Sequence, residues 1–172
     1  MRTILFIISF ILCNTLAIAQ KSKYFDVKVT PLRISKEIEL SLKNTSELKP
    51  KGTGRCNNYS YLKGREAFDD LITSILKEAF KGMSKEEAVI LRQIKFSFMF
   101  DTSMKIVYIR FTFYEEVADK VMKWEKSMYK LAKKFIHMDI RPYFKVEDPE
   151  LFQYTEWTTP LYNRFMSEKT TN

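Results

Sequence analysis

Histidine, cysteine and glycine are scarce in this chain, and their scarcity excludes several kinds of site. The 172 residues include one histidine (His137), two cysteines and four glycines. One histidine cannot build a histidine-rich metal centre or a zinc-binding HExxH motif. Cys13 lies in the apolar start of the chain and leaves Cys56 alone, so we expect neither an internal disulfide nor a cysteine-rich zinc site. The sequence therefore predicts no metal and no cofactor.

A long apolar run occurs only at the start of the sequence. The basic start at Arg2 is followed by an apolar run from Ile4 to Cys13 and by Leu16-Ala17-Ile18-Ala19. This layout is typical of a secretory signal peptide over residues 1–19, with cleavage before Gln20. No later apolar run approaches the ~18 residues of a membrane span. We expect residues 20–172 to form one exported domain, periplasmic or extracellular, with no transmembrane span.

The positive charge is concentrated near the start of the mature chain. The formal net charge is +8, or +7 without Arg2, from 28 basic and 21 acidic residues. Residues 20–65 hold 11 basic and 4 acidic residues, whereas residues 66–172 hold 17 of each. Such a positive field can recruit an anionic partner, or the lysines can simply keep an exported protein in solution. Because no aromatic-basic RNA motif or zinc finger accompanies the charge, we do not expect nucleic acid as the partner.

Alternation of apolar and polar residues predicts four strands. Two lie at Phe25–Val29, ending at Pro31, and at Ile38–Leu42. The other two form a β-hairpin around Asp101–Met104, with one buried and one solvated face. Its buried face is expected to carry the following residues: Ile94, Phe96, Phe98, Phe100, Val107, Ile109, Phe111 and Phe113.

Two amphipathic helices are predicted at residues 66–80 and 115–137, each with acidic residues in its first turn. Ser84 and Glu87 have the spacing of a capping box. The aromatic segment from Tyr154 to Phe165 favours an edge strand, because Pro160 cannot lie in a central one. The expected fold class is α+β: an antiparallel sheet with a central β-hairpin, packed on one face by the two helices.

The segment from Asn44 to Arg65 shows no periodicity and is the first place to look for a binding surface. It contains three of the four glycines, and residues 43–65 carry six basic residues against Glu47. Loops on a rigid scaffold often hold binding residues, although the same composition is also typical of a mobile connector. The predicted binding residues, listed in chain order, are Lys49, Lys51, Arg55, Tyr59, Tyr61, Lys63 and Arg65. The frayed end of the domain is expected at residues 167–172.

The sequence shows no standard set of catalytic residues, so no catalytic residue is assigned. Cys56 and His137 could form a thiol–imidazole pair, but nothing in the sequence brings them together. The adjacent carboxylates, such as Asp69-Asp70 and Glu115-Glu116, are explained by helix starts and turns. The leading hypothesis is an exported, non-catalytic binding or structural module of the cell envelope, with an envelope protein or an anionic glycan or lipid as partner. The alternatives are an exported hydrolase using carboxylates or Cys56, and an anion-binding module using residues 43–65.

From about Glu87 to Phe165 the order is capped turn, β-hairpin, amphipathic helix and final extended segment. In that order this half of the chain resembles the periplasmic C-terminal domain of TonB-like energy transducers. The resemblance implies a periplasmic α+β domain, and no functional residue is carried over from it. The Ala-Ile-Ala-Gln processing site and the body rich in Lys, Phe and Tyr also resemble small exported proteins of Bacteroidetes-type bacteria.

Overall fold

A computed structural model describes residues 22–45, 49, 59–146 and 154–166. The described part contains seven strands, four α-helices and two 3₁₀ helices. In chain order they are β1 (Phe25–Pro31), β2 (Lys36–Leu42), β3 (Tyr59–Tyr61), α1 (Gly64–Ala79), a 3₁₀ helix (Glu87–Gln93), β4 (Lys95–Asp101), β5 (Ile106–Tyr114), a second 3₁₀ helix (Glu115–Val117), α2 (Ala118–Met122), α3 (Glu125–Phe135), β6 (Phe144–Val146), β7 (Tyr154–Pro160) and α4 (Leu161–Met166).

Five strands form one antiparallel sheet in the order β1-β2-β5-β4-β7. Leu40 of β2 lies opposite Phe111 of β5, and Phe98 of β4 lies opposite Trp157 of β7. The β4–β5 hairpin occupies the interior of the sheet, as the alternation predicts. The α+β fold class is confirmed.

The inner face of the sheet carries the aromatic core, and both long helices contribute to it. Phe68 of α1 and Phe135 of α3 are fully buried. The Phe68 ring lies 5.9 Å from that of Phe98, and the Phe135 ring lies 5.4 Å from that of Phe96. Burial of such rings is the main favourable term in folding, so this layer fixes where the two helices lie.

The turn of the β4–β5 hairpin has no glycine and is held by Asp101. Its Oδ1 atom accepts hydrogen bonds from the Ser103 backbone N–H at 2.9 Å and the Ser103 hydroxyl at 2.6 Å. Met104 adopts a positive φ of 56° in the place where glycine is common. The register shifts between Met99 and Phe100, so Ile106 is buried in the core in place of Val107. The assignment of Val107 to the buried face was wrong, because a bulge reverses the alternation there.

The helix predicted over residues 115–137 is divided into three pieces. A 3₁₀ turn precedes α2, and the chain leaves the helix at Lys123–Trp124 before α3 begins at Glu125. The interruption lets the Trp124 ring lie 6.2 Å from the Phe80 ring at the end of α1. It also makes Glu125 the first residue of a new helix, where its carboxylate is free to bond outside α3.

Three further elements differ from the sequence prediction or refine it. Tyr59–Tyr61 is a strand, paired with Phe144–Val146 in a separate two-stranded sheet, although the periodicity is absent there. The predicted edge strand is confirmed as β7, and the residues after Pro160 form the short helix α4. Ser84 and Glu87 make both reciprocal bonds of the predicted capping box, at 2.9 and 3.1 Å.

The outer face of the sheet is covered, contrary to the prediction of a solvated face. Met99 and Tyr108 are 6% and 2% exposed, and Ser97 and Thr112 are also buried. Polar side chains tolerate this burial because they bond to one another, as Ser97 and Thr158 do through their hydroxyls at 2.9 Å. Among the residues that the structure describes, no helix is long and apolar enough to cross a membrane.

Candidate functional site

The two tyrosines of the predicted binding loop pack against the core. The Tyr59 ring lies 6.0 Å from that of Phe100 and 5.3 Å from that of Phe144. The Tyr61 ring lies 4.9 Å from that of Phe144, and its hydroxyl accepts a hydrogen bond from the Trp157 indole N–H at 3.3 Å. These rings extend the aromatic core through β3, which leaves little ring surface for a partner.

The basic residues of the same loop are not brought together by the described part of the chain. Arg65 pairs with Asp69 one turn further along α1, with Nε and Oδ2 3.5 Å apart. Lys63 is exposed just before α1. Lys49 lies on the outer face of the sheet, with its Nζ 3.9 Å from Glu39 Oε1. Three residues of interest lie outside the described residues: Lys51, Arg55 and Cys56. The binding role of this loop stays a prediction.

Lys49 belongs to a set of ionic side chains that we name the outer-face network: Glu39, Lys49, Tyr108, Arg110 and Glu156. Arg110 donates from Nη1 to Glu39 Oε2 at 2.7 Å and from Nη2 to Glu156 Oε1 at 2.5 Å. The Tyr108 hydroxyl donates to Glu39 Oε1 at 2.9 Å, and Lys49 Nζ lies 5.1 Å from the centre of the Tyr108 ring. Two cations and two carboxylates therefore neutralise one another across β2, β5 and β7.

The pKa values in the outer-face network follow from burial and pairing. Burial raises the pKa of Glu39, but the hydrogen bonds from Arg110 and Tyr108, with the charges of Arg110 and Lys49, bring it below its usual 4.5. Burial is also the main cause that raises the pKa of Tyr108 to about 12. A general acid at neutral pH needs a raised carboxyl pKa. Glu39 has the opposite shift, which does not favour acid catalysis at this site.

A second cluster lies at the open end of the β1–β2 pair, where Phe25 lies opposite Leu42, beside α3. Tyr24 and Tyr129 stack with ring centres 4.2 Å apart and planes 17° from parallel. Lys23 Nζ lies 5.4 Å from the centre of the Tyr24 ring, and the Phe25 ring meets Tyr129 edge-on at 6.5 Å. Lys133 joins these aromatic residues one turn further along α3. This arrangement depends on contacts between residues about a hundred positions apart in sequence.

Two pockets meet at this cluster. One of about 360 Å³ lies between α1 and α3, and one of about 230 Å³ lies between α3 and the open end of the β1–β2 pair. Both are lined by Tyr129 and Lys133. We name the two pockets together the lysine–tyrosine groove. Its lining residues are Lys23, Tyr24, Leu42, Lys43, Asn44, Ile75, Glu78, Ala79, Tyr129, Lys130, Lys133 and Lys134.

The Glu125 carboxylate beside the stacked tyrosines already accepts hydrogen bonds from the backbone. Glu125 Oε1 accepts hydrogen bonds from the Ser22 hydroxyl at 2.6 Å and from the backbone N–H groups of Lys23 and Tyr24 at 2.9 and 3.3 Å. Lys43 Nζ donates to the backbone oxygens of Ser22 and Lys23, both at 3.1 Å. These bonds fix the entry of β1 against α3 and so position the groove.

The groove carries a surplus of positive charge. Five lysines line it, and Glu78 is its acidic lining residue. Glu78 Oε1 lies 3.6 Å from Lys134 Nζ, and both side chains are well exposed to solvent. Counting Glu125 as well leaves three uncompensated positive charges. An exposed pair such as Lys134–Glu78 contributes little stability, so this lysine remains available to an anion.

A third pocket has mixed charge. It encloses about 450 Å³ between the Glu87–Gln93 3₁₀ helix and α2, with Trp124 among its lining residues. Glu86 and Glu87 line one side, while Lys120 and Lys123 come from the other element. The lysine series along residues 120–134 is thus divided. Its first members face carboxylates, and its last members face the lysine–tyrosine groove.

This division explains why sequence reasoning missed the groove. Acidic residues interrupt the lysine series in sequence, which favours a solvated helix face. The three-dimensional signal comes from the residues just before β1, since Tyr24 stacks on Tyr129 and Lys23 lies over the Tyr24 ring. A hint was present in the sequence, because the excess charge begins in the same segment as Tyr24.

Within the described ranges, no three His, Cys, Asp or Glu side chains converge in a way that could hold a metal ion. His137 is exposed at the turn after α3, with a φ of 64°. Its backbone N–H donates to the Ile106 oxygen at 2.7 Å. A Cys56–His137 pair is not tested by the structure, since Cys56 lies outside the described residues.

Comparisons with known proteins include a structural similarity. No protein-family model matches the chain, and no curated protein matches its sequence. The chain is similar to a solved DUF5043 family protein from Bacteroides uniformis, with a TM-score of 0.40 and 12% sequence identity. The match covers 79% of this chain and 85% of that chain. A similarity at this level carries no argument about function.

Proposed function

We propose that this protein is an exported, non-catalytic binding module of the cell envelope that holds an anionic partner in the lysine–tyrosine groove. Export is supported by the signal-peptide pattern of residues 1–19, with cleavage before Gln20. The groove belongs to the folded domain, since it is built from α1, α3, the end of β2 and the residues just before β1. Binding therefore needs no residue of the leader.

The observation that carries the proposal is the unequal pairing of charges around the groove. Each carboxylate in the outer-face network faces a cation, whereas the lysines of the groove outnumber the nearby carboxylates. Lysines that lack a counter-charge attract anions from solution, and walls of low dielectric strengthen the field between them. The groove is the described surface where uncompensated charge and a shaped cavity coincide.

The carboxylates of the described chain support binding more than hydrolysis. A glycosidase needs one protonated and one ionised carboxyl across a cleft. Glu39 and Glu156 both accept hydrogen bonds from Arg110, and the pKa of Glu39 lies below its usual value. Glu125 accepts hydrogen bonds from the backbone of residues 23 and 24. The lowered pKa of Glu39 does not suit a general acid.

The test compares two triple variants that lose the same charge. Lys23, Lys130 and Lys133 are replaced by Ser in the groove variant, and Lys85, Lys95 and Lys105 are replaced by Ser in the control. All six lysines are exposed. Binding of sulfated dextran and of poly-L-glutamate is measured by isothermal titration calorimetry, with unmodified dextran as the uncharged probe.

We expect at least one anionic probe to bind the wild type at low salt and the groove variant to lose about tenfold or more in affinity. The control should change by less than about twofold when the titration is repeated at a salt concentration near 0.1 M, because distant exposed charges are then screened. Equal losses in both variants would show a general charge effect and overturn the assignment to the groove. Failure of the wild type to bind either probe would contradict anion binding itself.

A further inference from the structure

The lysines of the groove are divided between its two pockets. The two pockets share Tyr129 and Lys133, so one ligand can occupy both. Lys130 and Lys134 belong to one pocket, while Lys23 and Lys43 belong to the other. A ligand that satisfies both groups must carry several negative charges along its length.

The position that would suit a compact anion is already filled. Adjacent backbone N–H groups are the usual ligands of a small phosphate or carboxylate. Here the N–H groups of Lys23 and Tyr24 both donate to Glu125 Oε1, as does the Ser22 hydroxyl. The carboxylate of Glu125 acts as a built-in anion at this point. What remains for a ligand is a row of separate ammonium groups.

The tyrosine rings offer edges and hydroxyls in place of open faces. Tyr129 covers one face of Tyr24, and Lys23 lies over the ring as well. Tyr129 stacks on Tyr24 and also meets the Phe25 ring at 83°, with ring centres 6.5 Å apart. Single-stranded nucleic acids gain much of their affinity by stacking bases on free aromatic faces. The groove lacks such faces at this tyrosine pair, which disfavours a nucleic acid.

The groove is equally unlike a membrane-binding surface. Lipid-surface binding requires apolar side chains that enter the bilayer beside the basic groups. The strongly exposed large apolar residues of the described chain lie elsewhere: Leu32, Ile34, Leu62, Val89 and Tyr114. None of them lines either pocket of the groove. An anionic lipid headgroup would therefore find the charge without the apolar anchor.

Resting on the proposed function, we infer that the partner is a linear acidic polysaccharide whose chain lies across both pockets. Carboxylate or sulfate groups repeat along such a chain and meet the separate lysines. Its hydroxyl groups suit the hydroxyls of Tyr24 and Tyr129, which line the groove. Each pocket holds one part of the chain, and Lys133 contacts the part between them.

The experiment uses galacturonate oligomers of increasing length as probes, measured by calorimetry at low salt. Affinity should rise by about tenfold or more from the monomer to the hexamer, because the second pocket is filled by an already tethered chain. The fully methyl-esterified hexamer, which has the same sugar without the charges, should not bind. Replacement of Lys23 by Ser, or of Lys130 and Lys134 by Ser, should remove most of the gain with length while leaving the weak binding of short oligomers.

Other outcomes overturn the inference in distinguishable ways. A monomer that binds as well as the hexamer would contradict a chain spanning both pockets. Three other anions are compared at matched charge: oligothymidylate, poly-L-glutamate and phosphatidylglycerol vesicles. Tighter binding of one of them than of the hexamer would contradict a polysaccharide partner and indicate that class of partner. The proposed anion-binding function would then still stand. Absence of binding by every anionic probe would overturn both the inference and the proposed function.

Discussion

Lysine lies beside tyrosine in two regions of this molecule, with different surroundings. In the outer-face network, Lys49 lies 5.1 Å from the centre of the Tyr108 ring and 3.9 Å from a Glu39 oxygen. In the lysine–tyrosine groove, Lys23 lies 5.4 Å from the centre of the Tyr24 ring. The nearby carboxylate of Glu125 bonds to the backbone there and not to an ammonium group. The first region is internally neutral, and the second keeps its charge.

The comparison shows that lysine and tyrosine alone do not define a binding surface. In the outer-face network the cations serve the fold, because carboxylates on neighbouring strands require them. In the groove the lysines other than Lys43 face a cavity, and the fold would tolerate their loss. Substitutions in the first region should therefore change stability, and substitutions in the second should change binding.

The largest expected effect is that of Arg110→Met on stability. The substitution leaves Glu39 and Glu156 without their shared cation in a half-buried site. Breaking such a pair costs about 3 kcal/mol, at the lower end of the range for buried ion pairs because Arg110 is 26% exposed. Urea unfolding measures the loss, and the added substitutions Glu39→Gln and Glu156→Gln should recover part of it. A loss below about 1 kcal/mol would contradict a structural role for the network.

The outer-face network should also make stability fall in acid. Burial raises the pKa of Glu39, but the bonds from Arg110 and Tyr108 and the charges of Arg110 and Lys49 together bring the folded pKa below its usual value of 4.5. The unfolded chain therefore takes up the proton first as the pH falls, so the stabilisation is present above about pH 4.5 and is lost as the pH drops through the folded pKa. Urea unfolding at a series of pH values should show a shallower acid limb for Glu39→Gln. An unchanged limb would contradict the pairing.

Glu125→Gln should lower the stability of the fold and raise the affinity of the groove for an anion. An amide oxygen accepts the bonds from residues 22–24 less strongly than a carboxylate, so we expect about 1 kcal/mol of destabilisation. The same change removes one negative charge beside the groove and should tighten binding of the galacturonate hexamer by about two- to threefold. Weaker binding by the folded variant would show that the carboxylate acts on the ligand in some other way.

Lys49→Ala should have the smallest effect. Its pair with Glu39 is long, at 3.9 Å, and Lys49 is 39% exposed. We expect a loss of no more than about 0.5 kcal/mol and an unchanged affinity for the hexamer. Lys133→Ala is the matched comparison, with unchanged stability and an affinity lower by several-fold. If Lys49→Ala weakened binding as much as Lys133→Ala, the distinction between the two regions would fail.

The fold could be predicted from the sequence to a considerable extent, because its signals are local. Alternation at Phe96–Phe100 and at Ile38–Leu42 gave the strands, and the capping box at Ser84 gave the start of a helical turn. Local patterns could not reveal the bulge that buries Ile106, or the pairing of Tyr59–Tyr61 with residues 144–146. Such features depend on register and on distant partners.

The candidate site could not be predicted, since its geometry is wholly long-range. Tyr24 and Tyr129 are unremarkable in sequence, and their stacking joins β1 to α3. The role of Glu125 depends on a helix that restarts at that residue, where the periodicity indicated a continuous one. Charge counting correctly located an excess before residue 66, but it could not show which lysines have carboxylates beside them.

The most direct test of the central claim is a chemical-shift titration of ¹⁵N-labelled protein with the galacturonate hexamer at low salt. If the groove is the binding site, saturable shifts should occur at residues 23–24, 43–44 and 129–134. These residues line the groove or connect its lining residues. The signals of the outer-face network should not shift: Glu39, Lys49, Tyr108, Arg110 and Glu156. The contrary result is a set of shifts centred on the outer-face network, or small shifts spread over all lysine-bearing surfaces, either of which would contradict a specific anion site in the lysine–tyrosine groove.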